Sequence, residues 1–257
     1  YNKFIVLEGE LIMSLDSNVI TKETLIRSKV HEMILHGVLC PGDKLPSENE
    51  LAELYNAKRI DARNALVQLE KMGIVYGRQG VGRFVNEPLP AVEFLITGTT
   101  SFSEKMKEQG IPYKSRVIYA DYADDKEQAK YRGLLGADDV KIFKVSRLRI
   151  VNEMPCAIHI SYIREDLFPH IYEDKENLTS VYTYFKAAGY EQLRSKDRTL
   201  SAQFPTLEEM KLLQCSELVP LLVFETDTYD KETNDCLERV KILYRSDLFK
   251  HQLSDEN

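Results

Sequence analysis

The sequence predicts an α+β protein in two parts, and three observations carry that expectation. Apolar residues recur at helical spacing over three short segments between residues 21 and 73, and two strand-like runs joined by a glycine-rich loop follow at once. The stretch NEPLP at 86–90, with two prolines in three residues, then breaks every period. Beyond it, strand-like runs come in pairs with amphipathic segments between them, which is the pattern of an antiparallel sheet flanked by helices.

The first helix is expected over 21–36, TKETLIRSKVHEMILH, with Ile26, Val30, Met33 and Leu35 near one face and Gly37 stopping the pattern. After the turn CPGDK comes LPSENELAELY, where Ser47 and Glu50 have the spacing of a capping box and open a second helix with Leu51 and Leu54 inward. A break at Asn56 and Ala57 leads to a third helix whose Ala62, Ala65, Leu66 and Leu69 share a face, ending at Gly73. Three short helices so closely spaced make a helix-turn-helix candidate. The runs IVY at 74–76 and RFV at 83–85, joined by GRQGVG, then read as a tight hairpin, a wing, with Arg78, Gln79 and Gly80 at its tip.

Length and charge fit this division. A chain of 257 residues exceeds the usual single-domain size, so two cores are expected. The formal charge is −7, yet residues 21–88 hold ten Lys and Arg against nine Asp and Glu, so that part is +1 and the remainder −8. A small basic face can sit on such a segment of an acidic protein. Cys40, Cys156, Cys215 and Cys236 lie far apart and five scattered histidines complete no site, so neither a metal nor another cofactor is expected, and a reducing, cytoplasmic setting fits. No apolar run approaches the roughly 18 residues of a membrane span. The stretch FIVLEGELIM is broken by two glutamates and a glycine, and residues 1–20 lack the basic start and apolar centre of a signal peptide; they read as an N-terminal extension.

The stretches GVLCPGDKLPSENELAELY, RIDARNAL and RQGVGRFV closely resemble the winged helix of the GntR family of bacterial transcription regulators over about 50 nearly continuous residues. That resemblance implies a DNA-binding domain over 21–87. It places DNA contacts at Ser47 and Glu48 on the second helix, at Lys58, Arg59, Ile60 and Arg63 on the third, and at Gln79 and Gly80 in the wing.

Arg59 and Arg63 stand four apart on one side of the third helix, which suits a phosphate backbone, and Ile60 between them can meet a thymine methyl. Asp61 is the puzzle of this segment. Where the family usually has serine and threonine, this chain has Lys58 and Asp61. With Lys58 at the cap, Asp61 falls at the third helical position and can accept from an unpaired backbone amide, favouring the helix dipole by about 0.3 to 1 kcal/mol. It can instead accept from a cytosine amino group in the major groove, or its charge can weaken DNA binding.

Residues 88–98 are expected as a linker. The runs SRVIYADYA, KIFKVSRLRIV, MPCAIHISYI, LRSKDRTLSAQF, PLLVFETDTYD and CLERVKILYRSDLF then read as strands, with hairpin joints at VNEM and DKETND and helical segments at 101–109, 125–135, 178–188 and 206–214. TSF at 100–102, SRLR at 146–149, MPCAIHISYI, SVY at 180–182, TLEEMKLLQC, PLLVFETDTY and LERVKILYRSDLF resemble, in order and spacing, the UTRA effector domain of the HutC subfamily. The resemblance implies a chorismate-lyase-like fold over 99–257 that binds an effector and dimerises.

Arg147 and Arg149, two apart on a strand, point to one face and suit a phosphate or carboxylate. Thr100 and Ser101 open one helix and Ser180 with Tyr182 another, where hydroxyls and amides can receive an anion. In the sugar-phosphate sensors of the subfamily the matching positions hold the phosphate, and those of Glu238 and Tyr244 face the sugar; Phe102 belongs to the same TSF motif. The bland alternative is that the arginines form a solvated strand face and Ser180 only caps its helix. One departure stands out, because many members carry glutamate where this chain has His159. That histidine is either a ligand contact, able to donate or accept, or a bonded core residue.

The function these readings imply is a homodimeric, ligand-responsive regulator, a repressor that binds double-stranded operator DNA and is released by a small anionic metabolite such as a sugar phosphate. An enzyme or a simple ligand-binding protein is the alternative, since the second fold is shared with a lyase. No Ser/His/Asp or Cys/His constellation is visible to support catalysis.

Overall fold

The computed structural model describes residues 20–86, 92–95, 101–136 and 139–252, for 92–95 and 249–252 the backbone alone. Residues 1–19 and Thr100 lie outside the described residues. Two compact units divide between Glu87 and Pro88.

In the first unit, α1 (Lys22–Leu35), α2 (Glu48–Leu54) and α3 (Arg59–Lys71) precede a hairpin of β1 (Val75–Arg78) and β2 (Gly82–Val85). Each helix has a local reason to begin where it does. Thr21 Oγ1 accepts from the Thr24 amide at 3.1 Å, and Ser47 with Glu50 forms a reciprocal capping box at 3.3 and 2.7 Å. Ile26, Val30, Leu51, Ala62, Ala65, Leu66 and Leu69 close one core with Val75 and Val85 of the hairpin. Two expectations fail here. Leu35 is 69% exposed, because nine residues beyond Ile26 is two and a half helical turns, which turns it to the opposite side. Leu54 is 52% exposed at the last position of its short helix.

The loop before α2 also pairs with the hairpin. Leu45 N donates to Arg83 O at 2.8 Å and Val85 N to Asp43 O at 2.9 Å, so the turn CPGDK docks the wing against the helices. At the tip Gly80 has φ +74 and Gly82 φ +135, conformations that L side chains rarely adopt, and a Cβ at Gly82 would meet Lys44 Cε at 2.9 Å.

The second unit is built on a six-stranded antiparallel sheet in the order β4 (Tyr113–Tyr122), β5 (Ile142–Val151), β6 (Met154–Arg164), β9 (Cys236–Arg245), β8 (Leu221–Asp230), β7 (Leu193–Gln203). Helices α4 (Phe102–Glu108), α5 (Asp125–Leu135), α6 (Val181–Ala187) and α7 (Leu207–Leu213) flank it. The joint of β5 and β6 falls at Asn152 and Glu153, whose φ of +49 and +63 make the tight reversal expected at VNEM. On one sheet face, Phe102 and Met106 of α4 pack with Ala157, Ile242 and Tyr244. On the other, Leu213 of α7 packs with Leu148, Ile158, Val223 and Leu243.

The stretch expected as a linker contains a strand. β3 (Val92–Leu95) pairs in parallel with β10 (Phe249–Gln252), Val92 opposite Phe249. The last expected strand likewise ends at Arg245, which turns the chain by pairing with Asp247 at 2.7 Å and donating to Leu213 O at 2.9 Å.

Candidate DNA-reading surface and effector cavity

In the first unit Lys58 is the N-cap of α3, with extended backbone at φ −77 and ψ 148. Asp61 Oδ2 accepts from the Lys58 amide at 3.1 Å, so the carboxylate closes the helix start from three residues inside. Lys58, Arg59 and Arg63 are exposed along the helix, and Ile60 is 53% exposed between them. Arg78 projects from the wing with its guanidinium 5.4 and 5.0 Å from the Tyr76 and Phe84 rings, and it donates to Tyr76 Oη at 3.1 Å. Gln79 and Gly80 are exposed beside it.

Glu48 is engaged within the protein. Its carboxylate meets Arg59 Nε at 3.1 Å and Arg83 Nη1 at 3.4 Å, and Arg83 Nε reaches Glu70 at 3.2 Å. Arg59 is largely exposed, so its pair with Glu48 is worth little in stability, whereas Arg83 and Glu48 are half-buried. Their effect is orientation: α2, α3 and the wing share one ion-pair chain that fixes where Arg59 points. Arg83, Lys44 and Glu70 were not singled out from the sequence, because their roles depend on the wing docking against the helices. A groove lined by Ser47, Glu48, Arg59 and wing residues 77–83 runs between these elements.

In the second unit, strand register assembles the other site. Arg147 lies opposite His159, which lies opposite Ile242 and then Phe224; Arg149 lies opposite Ala157, then Tyr244 and Leu222. Residues directly opposite share a sheet face, and α4 and α6 cover that face, joined to each other by Lys186 Nζ and Glu104 Oε1 at 2.7 Å. The result is a cavity of about 70 Å³, as the centre of a water-sized sphere traces it, where one water needs roughly 10 to 15 Å³. Ser101, Phe102, Arg147, Arg149, His159, Ser180, Tyr182, Glu238 and Tyr244 all line it, and so does Lys105, which the sequence reading passed over.

The arginines are not a solvated face: each is 3% exposed. Arg147 Nη2 donates to Ser161 Oγ at 2.5 Å, and Arg149 Nη1 donates to Ser115 Oγ and to Thr179 O, the latter at 2.9 Å. Burial lowers the Arg147 guanidinium to about 10 against the pull of Glu238, and burial together with Arg147 acts against the charge of Arg149. His159 is both a core residue and a cavity residue. It is 6% exposed, edge-on to Phe102 at 5.4 Å and to Tyr244 at 5.8 Å, and burial plus the nearby cations hold its imidazole neutral. Glu238 accepts from Thr228 Oγ1 at 3.1 Å, with burial raising its proton affinity. Four buried atoms facing this region lack a hydrogen-bond partner among the described residues: Nε of Arg147, Nε of Arg149, Nε2 of His159 and Oε2 of Glu238. Such groups cost about 1 to 3 kcal/mol each when left unmet.

The helix starts are less open than expected. Ser101 Oγ accepts from Glu104 N at 3.1 Å and Ser101 N donates to Glu104 at 2.9 Å, so its capping box uses both groups. Ser180 Oγ accepts from Thr183 N at 3.4 Å and from Thr183 Oγ1 at 2.9 Å. Both serines line the cavity as caps, and the buried guanidiniums provide its charge.

The comparisons with known proteins agree with this architecture. Residues 23–85 match the model of bacterial regulatory proteins of the gntR family, and residues 108–250 match the UTRA domain. The chain is 30% identical over 225 residues to the HTH-type transcriptional repressor NagR of Bacillus subtilis, covering 87% of this chain and 90% of that protein. It is 29% identical over 200 residues to the mannosyl-D-glycerate transport/metabolism system repressor MngR of Escherichia coli, covering 77% and 80%. The crystal structure of PhnF from Mycobacterium smegmatis superposes with a TM-score of 0.58 at 23% identity, over 90% of this chain and 99% of that one, and so supports the fold. These are transcriptional regulators, which sets aside the enzyme alternative. With both domain models matched in order and a relative similar over most of its length, the chain belongs to the GntR family of DNA-binding transcription regulators, with a UTRA domain after its winged helix.

Proposed function

We propose that this chain is a cytoplasmic, homodimeric repressor whose hold on double-stranded operator DNA is relieved by a small anionic metabolite, such as a sugar phosphate, bound between Arg147 and Arg149. The observation that carries this reading is the burial of two guanidiniums on one sheet face around a cavity, each with an unmet Nε. Like charges buried together are unfavourable, and an anion that bridges them with bidentate geometry relieves both. The names of NagR and MngR, both repressors and one of a sugar-derivative system, point the same way.

On the DNA side, Arg59, Ile60 and Arg63 read the major groove, Lys58 and Asp61 sit at the near end of the same helix, Ser47 and Glu48 flank it, and Arg78, Gln79 and Gly80 enter from the wing. Two such units must match half-sites about one helical turn apart. An effector that prefers a different spacing of the pair lowers operator affinity by its differential binding energy, typically about 1 to 3 kcal/mol.

The test is calorimetry with inorganic phosphate and a panel of sugar phosphates, together with gel shift on the chain's own promoter. Weak phosphate binding, tighter binding of a phosphorylated metabolite, and release of the promoter by that metabolite are expected. No phosphate binding at millimolar concentration, or release by neutral sugars alone, would overturn the reading.

A further inference from the structure

The wing turns two aromatic rings away from the core of its unit. Strand alternation sends Val75 and Val85 inward, and Gly77 faces the same way, since a Cβ there would meet Glu70 Oε1 at 3.0 Å. Tyr76, Arg78, Gly82 and Phe84 therefore share the opposite face, with Tyr76 across from Phe84 and Arg78 across from Gly82. The two rings stack with centroids 5.7 Å apart and planes at 27°, half-buried and outside the apolar core cluster.

Arg78 lies over both rings. Its guanidinium stands 5.4 Å from the Tyr76 centroid and 5.0 Å from that of Phe84, and its Nη2 donates to Tyr76 Oη at 3.1 Å. Gly82, directly opposite, has no side chain to separate the guanidinium from Phe84 on the diagonal. At an exposed site such contacts stabilise the fold only weakly. Their consequence is where the guanidinium points. A long side chain loses rotamer freedom when it meets a partner, and one already laid on stacked rings has lost much of it before the encounter. The residue itself remains exposed and keeps its charge and its fork of donors.

We propose that Tyr76 and Phe84 form a positioning shelf that presents Arg78, already ordered, to operator DNA, with Tyr76 acting on the duplex through that arginine. This rests on the reading of the wing given above and deepens it by a positioning residue.

The experiment is fluorescence anisotropy of a labelled promoter duplex with the full chain, using Arg78→Ala, Tyr76→Leu, Tyr76→Phe and the double variant Tyr76→Leu with Arg78→Ala. Leucine keeps an apolar contact with Phe84 and lacks a ring face, whereas phenylalanine keeps the ring and lacks the hydroxyl. Arg78→Ala is expected to weaken binding at least about fivefold, and Tyr76→Leu about two- to fivefold. Tyr76→Phe is expected to stay within about twofold of the wild type, because the ring faces carry the shelf. With Arg78 already alanine, Tyr76→Leu is expected to change nothing further. Urea midpoints show that each variant folds. A tyrosine that only holds the hairpin together would weaken binding equally in both backgrounds. That result, or full affinity in Tyr76→Leu beside a weakened Arg78→Ala, or a loss in Tyr76→Phe as large as in Tyr76→Leu, overturns the shelf and leaves Arg78 as a contact. If Arg78→Ala binds the promoter as the wild type does, the wing reading fails and the shelf with it.

Discussion

The carboxylate of Asp61 accepts a hydrogen bond from the backbone amide of Lys58 at 3.1 Å, so the start of α3 is closed by its third residue rather than by the side chain at its cap. The side chain of Lys58 is thereby left exposed at the end of α3 that carries Arg59.

Asp61→Thr should therefore act in two directions at once. Losing the carboxylate should cost about 0.5 to 1 kcal/mol of stability by urea denaturation, because an amide and the helix dipole lose their partner. Removing a negative charge from the reading surface should raise affinity for both the operator and a scrambled duplex in gel shift. A collapse of binding on the operator alone would show instead that Asp61 reads a base.

Arg59→Ala and Arg63→Ala should each lower operator affinity by roughly 1 to 3 kcal/mol where the side chain reads a base, and should flatten the salt dependence where it meets phosphate. Neither should affect folding. Arg59 is 71% exposed on its side chain, and Glu48 keeps Arg83 when Arg59 is gone. Fluorescence anisotropy over a salt series separates the two cases, and unchanged binding in both variants would displace α3 as the recognition helix.

Local chemistry explains what the sequence revealed and what it concealed. Ser47 with Glu50, the apolar face of Ala62 to Leu69, and the glycines of the wing act within a few residues, so α2, α3 and the hairpin were readable in order. The period-2 spacing of Arg147 and Arg149 likewise put them on one face, although it could not show that the face is buried under α4 and α6. Leu35 was misplaced by counting it onto a face it leaves by half a turn. Lys105 was missed because a lysine on a short amphipathic helix looks like a solvated residue until the sheet beneath it is known. The strand at Val92–Leu95 was unreadable for a different reason: its partner, Phe249–Gln252, lies at the far end of the unit.

Arg147→Ala should leave promoter binding intact and abolish release by the effector, since the residue belongs to the second unit and lines only the cavity there. Gel shift with and without a binding sugar phosphate tests this. A variant that keeps full ligand affinity and full release would show that the arginine pair serves the fold alone.

Lys105 gives a pH signature. Burial lowers its ammonium from 10.5 to about 8 in the folded protein, so the unfolded chain holds that proton more tightly. The penalty is full below about pH 8 and fades as pH rises toward the unfolded value. Lys105→Met should therefore be more stable than the wild type at pH 7 by on the order of 1 to 3 kcal/mol, with the gap closing near pH 10. Urea midpoints of both proteins across that range provide the check, and a gap that stays constant with pH would mean the ammonium is not the cause.

The parallel pairing of Val92–Leu95 with Phe249–Gln252 brings the entry and exit of the second unit onto one ribbon. A unit whose strands at Val92–Leu95 and Phe249–Gln252 lie side by side behaves as a cassette: it can be joined to another reader, or reopened elsewhere on its surface by circular permutation, without unravelling the sheet between. The seam at residues 87 and 88 is where such an exchange would be made. A new operator preference could in this way be acquired by grafting, leaving the cavity around Arg147 and Arg149 untouched.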